Sequence, residues 1–262
     1  MQLRAVSLAV FASVLLASCS QSPTGRSQLM LMSPQQLDKM GEQSYQQMQQ
    51  ELEINTDEQT NAYVQCVSDE LIDTLPEPYR SADWEITVFA DDAANAFALP
   101  GNNIGVYNGL LDVAENQHQL AAVIGHEIAH VIAQHSNERV SSNMMVGLGM
   151  QMGAVLAETQ LDDSTAALAM AALGVGAQVG VLLPYSRAHE SEADKLGLRY
   201  MAAAGFEPAE AAQLWRNMAA NSEGQAPPEF LSTHPHPGSR IDAINNYLPE
   251  LQVASRSPNC QP

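Results

Sequence analysis

Residues 121–135, AAVIGHEIAHVIAQH, read as a helix that is apolar on nearly every side. A helix without a solvent face has to run through the middle of a domain, with other elements packed around it. His126, His130 and Glu127 are therefore carried into the interior, where a polar group without a partner is expensive. The two histidines stand at i and i+4, on one face, close enough for a ring nitrogen of each to meet a single ion. Glu127 reaches the same pocket from beside that face.

His-Glu-x-x-His on a buried helix is the pattern in which two imidazoles hold zinc and the glutamate serves as general base. A longer form of the pattern needs glycine at 133 and histidine at 136, and this chain has Ala133 and Ser136 there. Nine residues past His126, His135 falls on the opposite side of the helix. His118, His135 and His189 are expected to be solvated surface groups. A catalytic zinc site takes three side chains and leaves a fourth position open, so one ligand must come from elsewhere. In SRAHESEADKLG, 186–197, Glu190 and Asp194 stand one helical turn apart. One carboxylate can bind the metal while the other orients a histidine, although an acidic helix start is also favoured by the helix dipole alone.

The first residues speak to the compartment. One arginine, Arg4, precedes an apolar run at 5–17 that is shorter than the roughly 20 residues needed to span a bilayer, as in a secretory signal. Leu16-Ala17-Ser18-Cys19 resembles the bacterial lipobox, with Cys19 the residue that takes the acyl chains. Ser20 resembles the signal for delivery to the outer membrane. With Cys19 lipidated, Cys66 and Cys260 are left to pair in an oxidising compartment and tie the C-terminal tail to an N-terminal helix. Two separate buried thiols are the alternative. A net charge of −19 makes nucleic acid an improbable partner.

The expected organisation is a signal over 1–18, a tether over 19–32, one domain over 33–250 and a tail over 251–262. Ser33-Pro34 reads as a cap and first turn, opening a polar helix to about residue 52. A second helix runs over 56–75. WEITVFA, 84–90, alternates like a strand, and 95–111 supplies two short strands around a Pro-Gly turn. From 115 onward the pattern is almost wholly helical. The fold class is α+β, predominantly helical, with a small sheet beside the histidine helix. Two unusually apolar runs, 144–157 and 166–183, are expected as a closely packed helix pair, buried in the fold, resting against a membrane or covering the active site.

NAFALPG at 95–101, GHEIAHV at 125–131, SRAHESEAD at 186–194 and THPHPGSRI at 233–241 occur in the order found in zinc metallopeptidases of the HtpX and CAAX-prenyl-protease type. The resemblance covers roughly 30–250 and is greatest to their soluble, lipid-anchored periplasmic branch. It implies a zincin-type domain with one Zn2+ per chain. His126, His130 and Glu190 would be the ligands, Glu127 the base and Asp194 the orienting carboxylate. His234, with His236 as its rival, and Arg240 would face the tetrahedral intermediate. Asn95, Ala96, Phe97 and Ala98 match the strand beside the cleft, to which an extended substrate can add. The implied activity is an endopeptidase acting on unfolded or misassembled envelope proteins from the periplasmic side of the outer membrane. The rival function is a chaperone-like module that holds clients without cutting them.

Overall fold

The computed structural model describes residues 19–160, 162–177, 183–221, 234 and 237–262. The expected signal at 1–18 lies outside them. The chain falls into two compact units, residues 1–34 with 134–189 and residues 35–133 with 190–262, where the sequence reading has one domain across 33–250. As expected, helix predominates and the sheets are small.

The larger unit is built on three strands, β3 (Glu85–Phe89), β4 (Ala96–Leu99) and β5 (Asn103–Tyr107), in the order β3-β5-β4. β3 runs parallel to β5, with Ile86 opposite Ile104; β4 runs antiparallel to it, with Ala98 opposite Ile104. All of β5 is buried, as a central strand covered on both faces should be. Helix α1 (Pro34–Glu51) anchors to the sheet through Tyr45, whose hydroxyl donates to the Ile104 carbonyl at 2.8 Å. Helix α2 (Glu58–Ile72) is capped by Asp57, which accepts from the Thr60 amide at 2.7 Å. It turns Val64, Val67 and Leu71 inward.

A short helix α3 (Asn108–Val113) leads to α4 (Gln117–Ile132), the helix read first in the sequence. Asn116 caps α4 by accepting from the amides of His118 and Gln119. The helix buries nearly all its side chains between β4, α2 and α8 (Glu210–Asn221). It stops at Ala133, and Gln134 follows with φ 53°, in the left-handed region. Helix α7 (Leu183–Ala204) crosses α4 through two glycines. A Cβ built on Gly197 would stand 2.9 Å from the His126 amide nitrogen, and one on Gly125 would stand 3.3 Å from the Gly197 carbonyl oxygen. Helix α9 (Pro237–Tyr247) lies against α8 and completes the unit. Cys66 on α2 is disulfide-bonded to Cys260, 194 residues away.

The smaller unit holds the hairpin β1 (Cys19–Gln21) and β2 (Ser27–Leu29), in the segment expected as a tether. Its other parts are α5 (His135–Gln160), α6 (Asp163–Ala177) and the first residues of α7. The hairpin is sewn to α5 by Glu138, which has no exposed surface and accepts from both Arg26 terminal nitrogens, at 2.6 and 2.7 Å, and from Gln28 Nε2. His189 Nε2 lies 3.0 Å from the same carboxylate. His135 and His189, expected on the surface, are instead buried, their rings stacked at 4.3 Å. His189 is drawn in by Glu138, a buried charge that has several donors around it, and His135 stacks on His189. His118 is half-buried in the larger unit, its ring edge-on to Phe206, with Nδ1 accepting from the Glu207 amide.

The two apolar runs form α5 and α6, which pack on each other; residues 178–182 of the second run lie outside the described set. The expectation that the pair is buried in the fold needs correcting. Large apolar side chains such as Met152, Leu156 and Leu168 are exposed. By length and composition His135–Ala157 is able to cross a membrane.

The close crossing of α4 and α7 predicts the effect of Gly197→Ala. The added methyl group would force the two helices apart, lowering unfolding stability by about 1–3 kcal/mol and reducing zinc content after dialysis. Wild-type denaturation midpoint and zinc content in this variant would contradict the close approach.

Candidate metal centre

The crossing brings four donor atoms to one point. His126 Nε2 lies 3.0 Å from His130 Nε2 and 3.3 Å from Glu190 Oε2, and His130 Nε2 lies 3.5 Å from Glu190 Oε1. Two ligands each about 2.1 Å from a tetrahedral ion stand about 3.4 Å apart, so this trio has the spacing of a zinc site. His234 Nδ1 joins it, 3.2 Å from His126 Nε2 and 2.9 Å from Glu190 Oε2. One ligand atom from each of the four buried residues falls within 4.8 Å of the others. The donors also have the chemistry of such a site: Glu190 Oε1 is buried and makes no hydrogen bond among the described residues, an acceptor facing imidazoles.

Asp194 lies behind the trio. Its Oδ1 is 3.1 Å from His126 Nδ1, and Arg240 Nη2 is 3.0 Å from the same nitrogen; Asp194 would hold a proton on Nδ1 and leave Nε2 to serve as the donor once a metal replaces its proton. Burial disfavours a charged His126, and so does the nearby Arg240. The carboxylates of Asp194 and Glu190 outweigh both and raise its pKa to about 9. Burial likewise opposes the charge on Glu190, yet its hydrogen bonds with His126 and His234 hold its carboxyl far below the usual range. Asp194 is also lowered against its burial, first by the Arg240 charge and then by its bond to His126.

Arg240 is clamped. Its Nε donates to Asp194 Oδ2 at 2.8 Å, its Nη2 donates to Asp194 Oδ1, and its guanidinium lies 3.7 Å from the centre of the Trp215 ring. Its Nη1 stands 3.1 Å from Glu190 Oε2. The resemblance turns this side chain toward the intermediate; here it is engaged by the two carboxylates of α7. Trp215, on α8, is a member of the site that sequence reasoning missed. No motif marks it, since its part is to offer an aromatic face to a cation.

Glu127 is buried, and its Oε1 makes no hydrogen bond among the described residues, standing 3.4 Å from His234 Nε2. His234 therefore bridges the donor cluster and Glu127; the resemblance has it face the tetrahedral intermediate. His236, its rival, lies outside the described residues. Ala96, Phe97 and Ala98 lie in β4, which ends the three-stranded sheet among the described residues and packs against α4. Asn95 is buried just ahead of it, its carbonyl accepting from the Tyr107 amide.

Residues 58–248 match peptidase family M48, and the chain belongs to that family of zinc-dependent metallopeptidases, to which the HtpX type is related. It is similar to the mitochondrial metalloendopeptidase OMA1 of Schizosaccharomyces pombe, 38% identical over 68% of this chain and 50% of that one. With human metalloendopeptidase OMA1 it shares 29% identity over 91% of this chain and 47% of the relative. With the beta-barrel assembly-enhancing protease of Yersinia pestis it shares 30% over 62% of this chain and 34% of the relative. The match thus spans about half the length of the OMA1 relatives. These names correct one expectation. Relatives 38% and 34% identical to this chain are named mitochondrial, which points away from the periplasmic side of an outer membrane.

The Asp194 contact predicts that Asp194→Asn weakens zinc binding by roughly 10–100-fold, as measured by competition with a chelator. An unchanged affinity would show that Asp194 does not orient His126.

Proposed function

We propose that this chain is a zinc endopeptidase that cuts unfolded or misassembled proteins. The observation that carries the proposal is the meeting of His126, His130 and Glu190 at zinc spacing, with the buried Glu127 beside them. His126, His130 and Glu190 would hold zinc, which when bound would supply Lewis acidity for the scissile carbonyl and for water. Glu127 takes the proton from the attacking water and passes it to the leaving amine. Its Oε1, without a hydrogen bond, is open to receive that proton. His234, 3.4 Å from Glu127 through Nε2, offers a donor where the oxyanion develops. Arg240 acts as a positioning residue, holding Asp194 and Glu190 rather than meeting the substrate. The client adds to the free edge of β4 as an extended strand alongside Asn95, Ala96, Phe97 and Ala98.

A module that merely held clients would have no use for a buried carboxylate beside three imidazoles, which favours cutting over the chaperone-like reading. For clients we propose misassembled envelope proteins and a quality-control role; the support is the likeness to a relative named for enhancing β-barrel assembly. Attachment to a membrane through an acylated Cys19 belongs to the same proposal, supported by the lipobox-like sequence before it.

In the test, Glu127→Gln retains one zinc per chain and loses at least about 100-fold in cleavage of a reduced, unfolded protein. Cleavage at the parent rate would remove Glu127 from the mechanism. Cys19→Ala loses the acyl label from a radioactive fatty acid, and retained label would exclude that residue as the acylation site.

A further inference from the structure

Helices α5 and α6 are put together the opposite way from a helix pair in a water-soluble core. Where they approach each other the residues include glycines: a Cβ on Gly153 would stand 2.9 Å from Leu173 Cδ2, and one on Gly174 would stand 3.6 Å from Met150 Cε. The large apolar side chains point outward. Leu148, Met152, Val155 and Leu156 on α5, with Leu168 and Val175 on α6, are exposed, Leu168 by 73%. Only 11% of the apolar window of α5 is buried. In water so much outward apolar surface wastes the hydrophobic effect; in hydrocarbon it costs nothing, and glycines at the seam that receive Leu173 and Met150 of the facing helix let the two helices come close.

Length and charge agree with that setting. Residues 140–157 contain no Asp, Glu, Lys or Arg, and neither do residues 164–186. Eighteen helical residues measure about 27 Å, close to the roughly 30 Å of a bilayer's apolar core. A surface meant for another protein carries a polar rim with charged residues around an apolar centre, and both charge-free stretches are too long to provide one. The charged residues gather at the two ends: Glu138 and Arg139 before the first stretch, Glu158, Asp162 and Asp163 between the two, and Arg187 after the second.

We propose that the α5–α6 pair is a lipid-docking element, its outward apolar faces seated in the hydrocarbon of a bilayer. The attraction is hydrophobic, because the acidic link between the helices and the net charge of −19 repel anionic headgroups. Zwitterionic membranes are therefore preferred to anionic ones. The docking is independent of acylation at Cys19 and of the proteolytic activity.

The test uses the full chain with Cys19→Ala, which removes the anchor, and one added cysteine carrying an environment-sensitive fluorophore. The sites are Leu156→Cys and Leu168→Cys, with Gln47→Cys on exposed α1 as control. Phosphatidylcholine vesicles containing spin-labelled acyl chains should quench the probes at 156 and 168 and leave the one at 47 unquenched. Quenching should fall when a third of the lipid is replaced by phosphatidylglycerol. The paired substitutions Leu156→Glu and Leu168→Glu should weaken vesicle binding by about tenfold or more, while leaving cleavage of an unfolded substrate in vesicle-free buffer at the parent rate. Absence of quenching at 156 and 168 would overturn the proposal. So would probes already shielded before lipid is added in a protein that sediments as a dimer, since the faces would then be covered by a second copy. Stronger binding to the anionic vesicles would overturn the preference stated here.

Discussion

The contact on which the candidate site depends is the approach of α4 and α7 through Gly125 and Gly197. Neither residue touches a metal or a substrate. Together they let two backbones come close enough for carboxylates on one helix to reach imidazoles on the other. Each side chain at the centre is then fixed by a neighbour. Asp194 orients His126 and holds Arg240, Arg240 rests on Trp215, and Arg240 Nη1 faces Glu190. Buried charge on this scale is tolerable only because nearly every charged group meets an opposite one; at the centre the atoms without a hydrogen bond among the described residues are Glu127 Oε1, Glu190 Oε1 and Arg240 Nη1, and the two oxygens are those assigned to chemistry.

Much of this was legible in the residues. An all-round apolar helix can only be central, and α4 is central. The alternation at 84–90 and the Pro-Gly turn mark β3, β4 and β5, and helix dominates the rest. What local pattern could not supply was the partnership between distant segments. Spacing alone left Glu190 and Asp194 interchangeable, and three-dimensional placement separates them: one faces the ring nitrogens of His126 and His130, the other faces the back of His126. His189 looked like a surface residue because nothing near it in sequence reveals Glu138, whose burial draws in Arg26, Gln28 and His189 from distant positions; His135 is close to Glu138 in sequence, but the ring it stacks on, His189, is not. Trp215 escaped notice for the same reason, since an aromatic residue on a helix reads as ordinary core until a guanidinium is seen on its face.

The two compact units divide the physical tasks. The larger carries the sheet edge and the metal donors; the smaller joins the β1–β2 hairpin after Cys19 to the apolar pair α5–α6. The outward Leu and Met side chains of that pair fit the lipid docking proposed above, just as the inward histidines of α4 fit a cation that draws them together. In both places, an arrangement costly on its own indicates what completes it.

X-ray absorption at the zinc edge of the metal-loaded protein tests the central claim most directly. The account predicts a first shell of nitrogen and oxygen alone at about 2.0–2.1 Å, with the multiple-scattering signature of at least two imidazoles. A sulfur scatterer near 2.3 Å, or a shell without imidazole, would contradict it.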